Sequence, residues 1–218
     1  MPYIRGLAVS GSLSKNFADE HSDLDFFVIT AANRLWIVRI MYSFLFKIVS
    51  VLKIKSWFCL NYFVDEKELE IKEHNVFTAV EVSTLMPLKG KNVFNEFFNA
   101  NNWILNYQPN FFPNYAYLKE ASYILPKRFA EWILNFEHGN TLDNKLHAFF
   151  KKRFERMTAE NKQSEKGLVI GAYEARKHAC KPLPQYFQPQ ILFRFQQQFK
   201  YVEERYNSFL MNKEKIVA

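Results

Sequence analysis

Residues 7–30 read LAVSGSLSKNFADEHSDLDFFVIT, and the fold follows from how this stretch is parsed. An apolar strand over 7–10 runs into a turn at Gly11-Ser12. A polar loop of ten residues, 13–22, follows, and Asp23-Leu24-Asp25 then leads into the apolar run Phe26-Phe27-Val28-Ile29. In an extended segment alternate side chains share a face, which puts Asp23 and Asp25 on the same side with Cα atoms roughly 6–7 Å apart. Two carboxylates so placed repel each other unless a cation or a basic group sits between them. Gly11 lets the backbone come close to whatever lies above the turn, and Ser12 offers a hydroxyl and an amide to the same place. A Gly-Ser turn able to hold phosphate, facing two carboxylates able to hold a divalent metal, is apparatus for phosphoryl or nucleotidyl transfer.

Composition narrows the classes. At 218 residues the chain is long enough for a real core, as one large domain or two small ones. Hydrophobic content of 49% with 23% charged residues excludes a disordered chain. With 23 Phe and 11 Tyr against 6 Gly, the expectation is helix-rich packing. The net charge of +7 favours polyanions such as nucleotides. Cys59 and Cys180 fit neither a disulfide framework nor a zinc site and read as buried thiols in a reducing, cytoplasmic setting. No secretory signal opens the chain.

Outward from the motif, Asn33 is a candidate helix cap. Residues 34–55 follow as an apolar helix that Arg39 and Lys47 interrupt, too short a charge-free run to span a membrane, so it is expected to pack on a sheet. Residues 57–64 (WFCLNYFV) read as a buried strand with Asn61 the polar residue at its centre. A helix over 75–86 closes at Pro87 and Gly90. Together these make an α/β unit, residues 1–90: a small mixed sheet with flanking helices. Beyond residue 91 the pattern turns helical, over 92–106, then past a proline-punctuated linker at 108–114 over 123–136, 142–157, 167–179 and 190–211. Residues 91–218 are therefore expected to be an α-helical C-terminal domain. The aromatic stripe of its last helix (Phe193, Phe195, Phe199, Val202, Tyr206, Phe209) reads as core.

Gly11-Ser12, ten residues, then Asp23-x-Asp25 entering an apolar run resembles the signature of the nucleotidyltransferase superfamily, the polymerase-beta-like group with its small-molecule nucleotidyltransferases. The resemblance rests on about 20 residues. It implies Mg²⁺ (or Mn²⁺) held by Asp23 and Asp25, an NTP whose β/γ phosphates lie on Gly11 and Ser12, and a small-molecule or protein acceptor whose hydroxyl receives the nucleoside monophosphate. Members often carry a helix before the first motif strand; here that strand begins within about five residues of Met1, which suggests a shortened start. The family also supplies a third acidic residue from a later strand. The strand 57–64 offers Asn61 at that place, with Asp65, Glu70 and Glu81 further off, so a second expectation is a degenerate site that binds nucleotide or a protein partner without turnover.

Lys15, in the motif loop, is a candidate phosphate contact, and His21 is positioned to orient Asp23. Basic clusters at 151–156 and 176–181 read first as solvated helix faces and ends. No G-x-S-x-G, Walker loop or H-E-x-x-H occurs. Nothing matches an RNA-binding aromatic motif or a helix-turn-helix, so nucleic acid is not expected as a partner.

Overall fold

The structure is a computed structural model of the chain that describes residues 1–20, 22–51, 58–113, 115, 117–118, 129, 131, 139–164, 173–182 and 187–217. In order the elements are β1 (Ile4–Ser10), α1 (Gly11–Ser14), β2 (Leu24–Thr30), α2 (Leu35–Val51), β3 (Phe58–Asp65), α3 (Val76–Ser83), β4 (Met86–Lys89), α4 (Lys91–Ala100), a 3₁₀ turn (Asn102–Asn106), α5 (Gly139–Ser164), β5 (Glu174–Ala175), β6 (Ala179–Lys181) and α6 (Phe187–Val217). The six strands form one sheet in the order β4-β1-β2-β3-β6-β5. β1 and β2 are antiparallel, while β2 and β3 are parallel and joined through α2, since parallel neighbours need a long crossover.

Alternation along β2 divides the core in two. Phe27 and Ile29 point to one face, with Ala8, Val64 and the aromatic residues of α4 and the 3₁₀ turn. Phe27 stacks on Tyr62 at 5.6 Å and meets Phe97 at 5.0 Å. α4 lies so close to β1 that a Cβ on Gly6 would come within 3.0 Å of Val93. Val28 points the other way, into a core with Leu35, Trp36, Val38, Phe63, Phe150 and Cys180. There Trp36 stacks on Phe150 of α5 at 5.5 Å.

Several sequence expectations change. The cap of α2 is Asp143 of α5, whose Oδ1 accepts from the amides of Trp36 (2.9 Å) and Ile37 (3.0 Å). Asn33 sits at φ 55°, outside the extended region a cap needs, and its amide donates to Asp65 instead. α2 buries its first turn, Leu35 to Val38, whereas its later half leaves the sheet, with Phe44 68% exposed. The helix expected over 75–86 ends at Ser83, and Met86–Lys89 forms an edge strand on β1, the one kind of strand that tolerates Pro87. The helix expected over 167–179 is replaced, within the described residues, by the β5–β6 hairpin: Ala179 and Cys180 pair with Val64 and Phe63 and satisfy the outer edge of β3. The expected helical part thus contributes two strands to the sheet of the first ninety residues. The helix expected over 123–136 lies outside the described residues except for 129 and 131. The aromatic stripe of α6 is exposed, not core, because the body packs on that helix mainly through α3. Among the described residues no helix is long and apolar enough to cross a membrane.

One buried amide ties the loop after β3 to α4. Asn101, fully buried, accepts from the amide of Ile71 (2.8 Å) and the indole of Trp103 (3.2 Å) and donates to the carbonyls of Leu69 (2.9 Å) and Phe97 (2.8 Å). Asn101→Ala leaves these groups unpaired and is expected to cost about 3 kcal/mol. Asp143→Ala, which uncaps α2, is expected to cost about 1–2 kcal/mol. Urea unfolding of the two variants checks both the size and the order.

Candidate active site

The site is assembled where β1 ends and β2 begins. Ser10 pairs with Asp25 across the antiparallel ladder, so the Gly11-Ser12 turn lies over the start of β2. Gly11 adopts φ +68°, and a Cβ there would fall 2.1 Å from Asp25 Oδ2. Glycine is needed twice over, for the left-handed backbone and for the space the carboxylate fills. The Gly11 carbonyl is held by the Ser14 hydroxyl (3.0 Å) and by Lys15 Nζ (3.1 Å), and the Ser12 carbonyl accepts from the amide of Phe17 (3.0 Å).

Around Asp25 the charges are mostly of one sign. Burial holds its carboxyl above the usual range, and the neighbouring charges of Asp23 and Glu81 add to the effect; Lys15 and the Cys59 thiol oppose it. Lys15 Nζ bonds Glu81 Oε2 at 2.9 Å, so one ammonium serves both the turn and the far carboxylate. Cys59 faces Asp25 directly in the parallel ladder. Its thiol is pushed up to about 11, by burial first and then by Asp25 and Asp23, so at neutral pH it stays protonated and donates to Asp25.

Asn61 does not stand opposite Asp25. The β2–β3 register shifts between Phe26, which pairs with Leu60, and Phe27, which pairs with Tyr62, leaving Asn61 as the extra residue of a bulge. The bulge brings Asn61 to a cavity of about 50 Å³ beneath α3, where it lies with Ser10, Tyr62, Glu73, Glu81 and Lys181. Among the described residues, two of these carry a buried side-chain atom with no hydrogen-bond partner: Ser10 Oγ and Glu73 Oε2. The other acidic candidates are elsewhere. Asp65, at the opposite end of β3, is fully buried and bonds His178 Nδ1 (2.9 Å) and the amides of Asn33 and Lys67. Glu70 pairs with Lys72 and His74 on the surface. His21 lies outside the described residues.

The structure therefore brings Gly11, Ser12, Lys15, Asp23 and Asp25 together, and sets Asn61 beside them in the cavity. Sequence reasoning undervalued Cys59, set aside as a buried thiol, and Glu81, placed at a distance. The bulge hid the first, since an unbroken alternation puts Cys59 and Asn61 on one face and cannot rank them. Glu81 reaches the site because it shares a face of α3 with Phe77 at i, i+4 spacing, and both line the cavity. Among the described residues no group of three His, Cys, Asp or Glu side chains is arranged to hold a metal ion. The oxygen donors at hand are Asp23 and Asp25, with Glu81 behind Lys15.

Two outcomes follow from this geometry. Gly11→Ala is expected to destabilise the protein by about 2–3 kcal/mol, through backbone strain and collision with Asp25. Asp25, whose folded pKa is raised, gives stability that is complete below its unfolded value and is lost as pH rises through the folded value. Asp25→Asn is therefore expected to melt above the wild type at pH 7 in metal-free buffer, the difference vanishing towards pH 4; melting curves across pH 4–8 check the sign.

No protein family matches the chain, and no curated protein or solved structure shows significant similarity to it.

Proposed function

We propose that the protein is a metal-dependent nucleotidyltransferase that moves a nucleoside monophosphate from an NTP to an acceptor hydroxyl. The observation that carries this reading is the contact of Gly11 with the Asp25 carboxylate. It sets a turn suited to phosphate against a carboxylate suited to a metal. The sheet agrees with it: an antiparallel β1–β2 pair carries the turn and the carboxylates, and β3 runs parallel beside β2.

The residues present fit Mg²⁺ or Mn²⁺, because hard cations take oxygen ligands and Mg²⁺ commonly uses one or two carboxylates plus substrate phosphates. Burial first, and then the charges of Asp23 and Glu81, raise Asp25, and a bound cation would offset both. Asp23 and Asp25 would hold it, and when bound it neutralises charge on the transferred phosphoryl group. Gly11 and Ser12 would seat the β/γ phosphates, and Lys15 would trade Glu81 for a phosphate oxygen. The acceptor would place its hydroxyl-bearing group in the cavity under α3, where the free Ser10 Oγ and Glu73 Oε2 atoms offer hydrogen bonds. Its oxygen then bonds to the α-phosphorus, the bond from that phosphorus to the bridging oxygen breaks, and pyrophosphate leaves. The acceptor proton passes to Glu81, the carboxylate that lines the cavity and is freed by Lys15.

A second reading has its own observation. On the site face β3 presents Cys59 and Asn61 and no carboxylate, which favours a degenerate site that binds Mg-nucleotide or a protein partner without turnover.

A thermal-shift panel of the four NTPs with and without Mg²⁺, followed by a pyrophosphate-release assay, separates the readings. The proposal expects Mg-dependent stabilisation by at least one NTP, with release that Asp25→Asn abolishes. Binding without release favours the degenerate site, and no binding refutes both. Cys59→Asp, which sets a carboxylate directly across from Asp25, is expected to raise slow release by about tenfold or more, about 1.4 kcal/mol of barrier, and by more than Asn61→Asp does.

A further inference from the structure

The last helix carries a feature that the site does not use. Leu192, Phe195, Phe199, Val202, Tyr206 and Phe209 follow one another at alternating steps of three and four residues. That is the 3.5-residue period of a coiled-coil seam, and Ile191, Phe193 and Tyr201, also exposed, lie beside it. Phe195, Phe199, Val202, Tyr206 and Phe209 are all exposed, the last four by about 61% each, and Leu192 is half-buried. Phe195 and Phe199 stack on each other in the open, 6.2 Å apart. Exposed apolar patches of this extent mark interaction surfaces.

We infer that this seam pairs with the same seam of a second copy of the chain, the two α6 helices running antiparallel about a two-fold axis. Three observations select that occupant. The first is fit. With the axis midway between Phe199 and Val202, Phe199 meets the partner's Val202, Phe195 meets the partner's Tyr206, and Leu192 meets the partner's Phe209. Two of the three layers then set an aromatic ring against an aliphatic side chain, and the surface is self-complementary, as a two-fold interface must be. The second is charge. The flanking positions pair Gln196 with the partner's Glu203 and Gln198 with the partner's Arg205, so no like charges meet. Antiparallel helices also oppose their dipoles and hold the two globular bodies at opposite ends. The third is area. Large aromatic side chains bury roughly 150–250 Å² each when covered, so these partly exposed residues supply on the order of 500–600 Å² per copy. That reaches the roughly 1,000 Å² total expected of a specific interface. A lipid surface fits less well, because a membrane-lying helix flanks its apolar face with Lys and Arg, and of the four flanking residues Gln196, Gln198, Glu203 and Arg205 one is basic and one acidic.

The test uses the full chain without nucleotide. Sedimentation equilibrium from 1 to 100 µM is expected to give twice the 26.0 kDa mass of one chain. Phe199→Glu and Val202→Glu, both on exposed positions, are expected to weaken association at least a hundredfold while the circular dichroism of the body is retained. Cysteines placed at 198 and 205 of one chain are expected to cross-link between copies under oxidation, while a cysteine at 209 alone is not, because two copies of 209 lie about 25 Å apart along the antiparallel seam. A wild-type chain that stays monomeric at 100 µM overturns the inference, as does a dimer that both glutamate variants leave intact. Self-cross-linking through position 209 alone overturns the antiparallel arrangement. A monomer that sediments with phosphatidylserine vesicles, and loses them on Phe199→Glu, assigns the seam to a lipid surface instead.

Discussion

Alternation along a strand covered on both faces is the constraint on which this structure depends. β2 has helices above and below, so Phe27 and Ile29 must fill one core and Val28 the other, and a one-residue slip would exchange them all. Its neighbours are fixed by the same condition. β1 pairs through Ala8 opposite Phe27, and β3 sets Tyr62 against the Phe27 ring. Asp25, two residues before Phe27, inherits its face from that ring. The carboxylate is therefore placed by apolar packing, not by any attraction of its own.

The same packing explains why the site is electrostatically tense. Burial weighs most on Asp25, the charges of Asp23 and Glu81 add to it, and Lys15 and the Cys59 thiol compensate in part. Structural carboxylates elsewhere in the chain are treated differently. Asp143 is also buried and also raised, yet it accepts two backbone amides, and Asp65 is met by His178 and two amides. Charge left uncompensated in one place, beside a cavity with unpaired polar atoms, is the contrast that separates a candidate functional site from structural ion pairs.

The bulge at Asn61 is a small irregularity with a large effect. Without it, Asn61 would follow Cys59 along the face that Asp25 shares, and the two would be hard to rank. With it, the thiol meets Asp25 and the amide turns to the cavity beside Ser10. The strand thus presents two different polar groups to two adjoining regions of the same face.

The sequence alone determined the start of the site and the strands that bear it. Gly11, Ser12, Asp23 and Asp25 were legible because a left-handed turn and an i, i+2 pair are local properties, set by a few neighbouring residues. Strands β2 and β3 and helices α3 to α6 were legible in position from apolar periodicity, with the C-terminal ends of α4, α5 and α6 off by six or seven residues. Tertiary structure decided what depends on distant partners. Asp143 caps α2 from more than a hundred residues away, while Asn33 only looked suitable. β4 and the β5–β6 hairpin exist because the sheet edges beside β1 and β3 must be paired, a demand that strands as short as Met86–Lys89 and Ala179–Lys181 do not announce. Cys59 and Glu81 reach Asp25 through a bulge and a helix face that no local pattern encodes. The apolar stripe of α6 was visible from the start, but periodicity reports only that a face is apolar; what covers it is decided by neighbours, and among the described residues the stripe stays exposed.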